Sequence, residues 1–249
     1  MKIIDAYWEE RNLGMKVCEL VIDRGENFDE NLLSGIEESY DYIIAKIPGD
    51  SISLMHQLEE KGFRYLENQQ VIYFLSDQIQ RVNGEWENRF RDVKCEKVNE
   101  LVTLEKICNK IRSGLYLKGR ISADPLIGKG ISDMRIVNWL HDLYLKNGVT
   151  IYALEKGKDL IGYFALEKVG ERNQNIVQAG IFSDFQNKGY SFLILYNVLM
   201  IANLNSYKGI FSTISTGNTR TMNSISRFVN FTVKETYIVA RKMTCRSHK

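Results

Sequence analysis

The chain has 249 residues, 44% of them hydrophobic and 26% charged, with only 2 prolines; this excludes a disordered, collagen-like or low-complexity chain and leaves material for one large domain or two modest ones. Four cysteines, Cys18, Cys95, Cys108 and Cys245, with no C-x-x-C pairing, exclude a disulfide framework and read as reduced, packing thiols. A formal net charge of +2 hides an asymmetry: residues 1–88 carry 8 Lys/Arg against 18 Asp/Glu (net −10) and residues 89–249 carry 25 against 13 (net +12), so an anionic ligand belongs with the second part.

The opening MKIIDAYWEERN has no uninterrupted apolar core and no small-residue cleavage site, so no secretory leader is expected. The longest apolar stretch, Phe192 to Leu204, is broken by Asn197 and Asn203 and falls short of the roughly 20 residues that span a bilayer. A cytoplasmic protein without membrane contact is the expectation.

In chain order, Met15–Asp23 is β-rich, Phe28–Ser39 has helical spacing, and Tyr40–Ile47 is an apolar strand ending at Pro48. Ser51–Lys61 is helical, with Ser51 as N-cap and Gly62 at the stop, and Phe63–Leu75 returns to β. This β-α-β-α-β unit loses its periodicity over residues 76–92, where the junction between an N-terminal α/β lobe (1–88) and a second domain (89–249) is expected. The second part opens with a helix near Val98–Arg112. A glycine-rich stretch, Ser113–Ser132, follows and reads as a functional loop. Met134–Lys146 is helical, Val149–Glu155 and Leu160–Lys168 are strands around a turn at Gly157, and Asn175–Ser183 is a third strand. Helix Ser191–Asn205, strand Gly209–Ser215, helix Asn218–Val229 and strand Phe231–Arg241 complete the order.

One segment carries chemistry. Gln186-Asn187-Lys188-Gly189-Tyr190-Ser191 joins the third strand to an apolar helix. A glycine there lets the backbone turn its N–H groups outward, and the following helix adds unpaired donors and the positive end of its dipole, which together make an anion cradle; a plain connector is the alternative. Asn218 either N-caps its helix or joins the site. Arg120 and Asp124 either brace their loop as a pair or contact substrate.

Other chemistries drop out. Gly128-Lys-Gly130-Ile-Ser-Asp133 lacks the third glycine and the preceding strand of a dinucleotide fingerprint. There is no G-x-S-x-G and no Gly-Lys-Ser/Thr loop. His56, His141 and His248 are far apart in sequence with no metal-binding spacing, so no metal is expected. No Lys/Arg-rich run or recognised motif points to nucleic acid.

The loop Q-x-x-G-x-S, after the strand AGIFSD, resembles the acyl-CoA loop (Q/R-x-x-G-x-G/A) of the GCN5-related N-acetyltransferase (GNAT) superfamily. STGNTRTMNSISRFVNF resembles that family's strand, Asn, helix and "GF" element, with Asn230-Phe231 in the GF position, and the two likenesses cover roughly residues 149–241. Trp8, Gly14, Gly62-Phe63 and Arg120-Ile-Ser-Ala-Asp124-Pro125, with the two-part layout, resemble nucleotide-sugar N-acetyltransferases of the TDP-fucosamine acetyltransferase kind.

The resemblance implies an α/β (α+β) fold, a GNAT-like mixed sheet flanked by helices. It implies acetyl-CoA as cosubstrate, held by Ile181, Phe182, Gln186, Asn187, Lys188, Gly189, Tyr190, Ser191 and Asn218. The acetyl group would pass to a small-molecule primary amine, an amino sugar on a nucleotide diphosphate first, with Arg120 and Asp124 as acceptor contacts. Another small-molecule or protein amine as acceptor, and an acyl-CoA-binding regulatory module, are the alternatives; a homodimer is compatible with all three. The family's acid, a helix tyrosine that protonates the leaving thiolate, is replaced by Ser226. Catalytic roles then fall to Asn218, Ser226 and Tyr237, with Tyr190 as a substitute for the acid.

Overall fold

The structure, a computed structural model, describes residues 1–26, 28–81, 88, 90–114, 124–127 and 129–244. Ten strands form one sheet: β1 (Lys2–Asp5), β2 (Val17–Val21), β3 (Tyr42–Pro48), β4 (Arg64–Leu75), β5 (Val93–Lys97), β6 (Val149–Lys156), β7 (Asp159–Val169), β8 (Asn173–Ile181), β9 (Gly209–Ser215) and β10 (Thr232–Met243). Their spatial order is β1-β2-β3-β10-β4-β9-β8-β7-β6-β5. Among the described residues only β2/β3 and β8/β9 are parallel pairs. The helices are α1 (Tyr7–Leu13), α2 (Glu30–Ser39), α3 (Ile52–Glu60), α4 (Leu101–Arg112), α5 (Lys129–Leu145), α6 (Ser191–Leu204) and α7 (Thr219–Phe228).

Strand alternation sorts the helices onto two faces. Cys18 and Leu20 of β2, Ile43 and Ala45 of β3, and Ile238 and Ala240 of β10 pack on Leu33 and Ile36 of α2 and Met55 and Leu58 of α3. Ile72, Phe74, Ile210 and Ile214 continue that face under α6 and α7. α6 is apolar nearly all round, with Phe192, Leu193, Leu195, Val198, Leu199 and Ala202 buried, as befits a helix at the centre of a layer. On the opposite face Val17, Tyr42, Ile44 and Val239 meet Trp8 and Leu13 of α1 and Ile131 of α5, while Tyr163 and Ala165 lie under α4 and α5.

The sheet also joins the two parts expected from sequence. β4, the last strand of the first part, lies between β9 and β10 of the second, paired to both. A polar seam adds to this: Arg135 of α5 grips the buried Glu9 of α1, with Nε at 2.7 Å and 2.8 Å from the two carboxylate oxygens, and Asn138 donates to Asn12 at 2.7 Å. No helix among the described residues is long and apolar enough to cross a membrane.

The elements follow the sequence reading closely in the second part. Three were not expected: β1, α1 and β5.

Candidate functional site

The site begins where a parallel pair comes apart. β8 pairs with β9 only from Asn173↔Gly209 to Ile176↔Ser212, yet β8 runs on to Ile181 and β9 to Ser215. The cause sits at the point of parting. Opposite β7, Leu166 pairs with Ile176 and Ala165 with Gln178, so Val177 is an extra residue, a β-bulge that bends β8 away from its neighbour. The result is an opening between two strands at their C-terminal ends, where α/β sheets bind ligands.

β8 is held on its other edge. Phe182 donates its N–H to Ile161 O at 2.9 Å, which makes that pair a hydrogen-bonded one; alternation then turns the amides of Ile181 and Ala179 toward the opening. The approach to β7 needs a glycine. A Cβ at Gly162 would stand 2.5 Å from Gly180 O and 2.8 Å from Ile181 Cδ1.

The loop after β8 turns with φ 62° at Asn187 and 86° at Gly189, left-handed conformations that asparagine tolerates and glycine adopts without strain. Gln186 pins it: Nε2 donates to Ile181 O at 3.0 Å, and Oε1 lies 3.5 Å from Arg220 Nη1. Lys188 Nζ donates to Asp184 O at 2.7 Å, and Asp184 pairs with Lys110 of α4 at 3.1 Å. Ser191 Oγ and Ser224 Oγ, 3.1 Å apart, join the first turn of α6 to α7. Two helix N-termini and the cations Lys188 and Arg220 therefore meet at one end of the opening, an arrangement suited to a phosphate-rich ligand.

Arg220 was not singled out from sequence. A signal was present, since an arginine in the first turn of a helix opposes the dipole unless an anion lies there.

The remaining expected residues divide. Asn218 N-caps α7, accepting from Thr221 N at 3.2 Å. Ser226 is exposed and donates to Asn223 O at 3.2 Å, one turn back on its own helix. Tyr190 packs sideways on Phe90 (ring centroids 5.1 Å apart) and Phe185 (5.7 Å). In the GF position, the backbone of Asn230 is clamped by Gln78, which donates to Asn230 O at 2.8 Å and accepts from Asn230 N at 2.7 Å.

Tyr237 faces Gln69 across β10/β4, and Gln69 faces Ser215 across β4/β9. These three, with Thr213 and Glu235, share the α1/α4/α5 face and form a polar, solvent-facing strip beside the opening. Two strand spacings put Tyr237 roughly 10 Å from β9. Its hydroxyl donates to Glu235, and Lys46 Nζ lies 4.1 Å above its ring. Burial, the bond to Glu235 and that carboxylate's charge push the phenol up to about 12. Gln178, just past the bulge, is on the same face; its Oε1 accepts from Tyr163 at 3.0 Å, while its buried Nε2 has no partner among the described residues.

Asp124 lies apart from this strip. Its side chain is fully buried, with Oδ2 accepting from Tyr42 at 2.6 Å and from Arg241 Nε at 2.9 Å, and Oδ1 accepting from Arg241 Nη2 at 3.2 Å and Leu126 N at 3.0 Å. It braces its segment against β3 and β10, with Arg241 as the paired cation. Arg120, the partner weighed from sequence, falls outside the described residues.

Thiol chemistry is disfavoured among the described cysteines. Burial is the main cause that raises Cys18 and Cys95 to about 12 and Cys108 to about 11, so none is a ready free nucleophile at neutral pH. The three histidines are separated in sequence, but folding sets His141 Nε2 only 3.5 Å from Cys108 Sγ.

No protein-family model matches the sequence, and no curated protein matches it. Solved structures match the fold. A conserved protein of unknown function from Staphylococcus epidermidis aligns with a TM-score of 0.61 at 11% identity, over 92% of this chain and 84% of its own. A GCN5-related N-acetyltransferase from Kribbella flavida aligns at 0.58 and 12% identity, over 91% and 81%. One from Sphaerobacter thermophilus aligns at 0.57 and 12%, over 82% of this chain and 60% of its own. The chain thus has a GNAT-like fold, a large mixed sheet flanked, among the described residues, by seven helices.

Proposed function

We propose that the protein is an N-acetyltransferase that moves the acetyl group of acetyl-CoA to a primary amine. The observation that carries this is the opening between β8 and β9, made by the Val177 bulge and ending at the Gln186–Ser191 loop. A thioester arm fits such an opening as an added strand, and its pyrophosphate would lie against the amides of 187–191 at the start of α6. The GNAT-like fold supports the same reading.

In this reading Lys188 and Arg220 attract the phosphates. The amine approaches from the polar strip and attacks the thioester carbonyl carbon; a C–N bond forms, the C–S bond breaks, the nitrogen loses a proton and the thiolate gains one. The amide of Ile181 aims at the opening, where an oxyanion would develop. Gln178 has a buried donor to offer acceptor or thioester, and its amide takes no proton. Glu235 and Tyr237 offer the acceptor a carboxylate and a phenol.

For the acceptor we propose an amino sugar on a nucleotide diphosphate. This finer assignment is supported by the two-part layout and by the net positive charge of residues 89–249. The test is thiol release from acetyl-CoA with a panel of amines: amino-sugar nucleotides, polyamines, amino acids and a lysine peptide. Release with a sugar nucleotide supports both levels; release with another amine keeps the enzyme and removes the sugar. A CoA-dependent rise in melting temperature with no release from any amine would favour an acyl-CoA-binding regulatory module. The exposed Ser226 in the family's tyrosine position is the observation that keeps that second reading in view.

A further inference from the structure

Three side chains of different donor chemistry converge between α4 and α5, away from the opening. Glu105 and Cys108 are one helical turn apart on α4, and His141 reaches them from α5. His141 Nε2 is 3.1 Å from Glu105 Oε1 and 3.5 Å from Cys108 Sγ, and all three ligand atoms lie within 4.8 Å of one another. Tetrahedral zinc, with bonds of about 2.0–2.1 Å to nitrogen and oxygen and about 2.3 Å to sulfur, separates its ligands by about 3.3–3.6 Å. The two distances from His141 sit close to that range.

The chemistry at the shared nitrogen points the same way. A neutral imidazole nitrogen either donates or accepts. As a donor, Nε2 serves either the carboxylate or the sulfur; as an acceptor, it takes the thiol's hydrogen bond and turns its lone pair on the carboxylate. An ordinary helix-to-helix ion pair explains Glu105 with His141, but not Cys108 on the same atom. A cation among the three satisfies all of them.

We propose that Glu105, Cys108 and His141 form a site for a borderline divalent cation, Zn²⁺ by donor set, that cross-links α4 to α5. Cys108 is buried and anchors the inner side. Glu105 and His141 are partly exposed, with side chains 42% and 33% accessible, which leaves the outer coordination position to water and the ion able to exchange. The two helices bracket residues 113–128, so loading would stiffen the frame of that segment.

The test uses the full chain, freed of metal by a chelator and titrated with Zn²⁺ against a chromophoric competitor, with Co²⁺ as the spectroscopic probe. One equivalent should bind, and Co²⁺ should give a thiolate-to-metal charge-transfer band in the near ultraviolet. Cys108→Ser should abolish that band, and both Cys108→Ser and His141→Ala should weaken Zn²⁺ binding by at least about 100-fold. His141 is partly exposed, so its variant keeps the test valid if Cys108→Ser fails to fold. A charge-transfer band that never appears, a stoichiometry other than one, or Zn²⁺ affinity unchanged in His141→Ala would overturn the site. None of these readouts depends on acetyl transfer.

Discussion

Asp124 and Arg241, 117 positions apart, share two hydrogen bonds of 2.9 Å and 3.2 Å inside the protein, with Tyr42 closing the carboxylate from the β3 side at 2.6 Å. Burial alone would raise the carboxyl, but the bonds from Arg241, Tyr42 and the Leu126 amide more than offset it and hold it below the ordinary range. A carboxylate whose folded pKa is depressed stabilises the fold above its unfolded value, about 3.9, and that stability is lost as pH falls through the folded value. Arg241→Met, which strands a buried carboxylate, should cost about 3–5 kcal/mol at pH 7. Restoring neutrality with Asp124→Asn in the same chain should recover part of it. Urea melts of the parent, both single variants and the double variant at pH 7 and pH 3 check this, and a double-variant loss equal to the sum of the two single losses would show that the pair is not coupled.

Gly189, at φ 86°, gives the second prediction. A β-branched side chain there is strained and obstructs the approach of a phosphate, while the loop lies at the surface. Gly189→Val should fold with a melting temperature within a few degrees of the parent and lose the upward shift expected of the parent with CoA. A full CoA shift in this variant would move the cradle to other residues.

Much of this loop was legible because its signals are local: a glycine and a polar run between a β-rich segment and an apolar helix. The features that open the site were not. The bulge at Val177 is a matter of two-against-one pairing with β7, and the insertion of β4 between β9 and β10 joins residues 134 to 177 positions apart. Neither leaves a periodicity to read. α1 was missed because YWEERNL is polar for a docked helix; what it buries is Glu9, neutralised by Arg135. β1 and β5 have only four and five residues, too few for alternation to stand out. The likeness of Arg120-x-x-x-Asp124-Pro125 to a substrate element pointed at Asp124, whereas its carboxylate is occupied by β3 and β10. Sequence separation also concealed the meeting of Cys108 with His141.

Gly162 tests whether the opening depends on the fit of β8 against β7. A methyl there would meet Gly180 O at 2.5 Å and could be accommodated only by moving the end of β8. Gly162→Ala should destabilise by about 1–3 kcal/mol and weaken CoA binding, although the new methyl lies on the far side of β8 from the opening. Calorimetry with CoA on the folded variant measures this; unchanged affinity would mean that the end of β8 does not shape the cofactor site.

Arg220→Ala removes a cation beside Gln186 without touching the core. Loss of a charge-assisted bond to phosphate is worth about 1.5–3 kcal/mol, so the KM for acetyl-CoA should rise by on the order of 10-fold or more with kcat little changed. The difference between parent and variant should shrink as salt is raised. A variant with parental KM at low salt would leave the anion site to Lys188 and the loop amides.

In the proposed mechanism Tyr237 is the residue whose role most needs a test, since Ser226 offers no efficient acid. A phenol raised to about 12 stays protonated across the usual assay range, so it should contribute no limb to a pH–rate profile below about pH 11. Its place, roughly two strand spacings from β9, suits contact with the acceptor better than proton delivery to a thiolate held between β8 and β9. Tyr237→Phe should therefore raise the acceptor KM by about 10-fold, through loss of one hydrogen bond, and leave kcat within a few-fold. Glu235→Gln should do the same if the two act as a unit, with a double variant little worse than either single one. Full steady-state kinetics separates the cases. A fall in kcat of about 100-fold or more in Tyr237→Phe, with the acceptor KM unchanged, would make the tyrosine the acid that protonates the leaving thiolate.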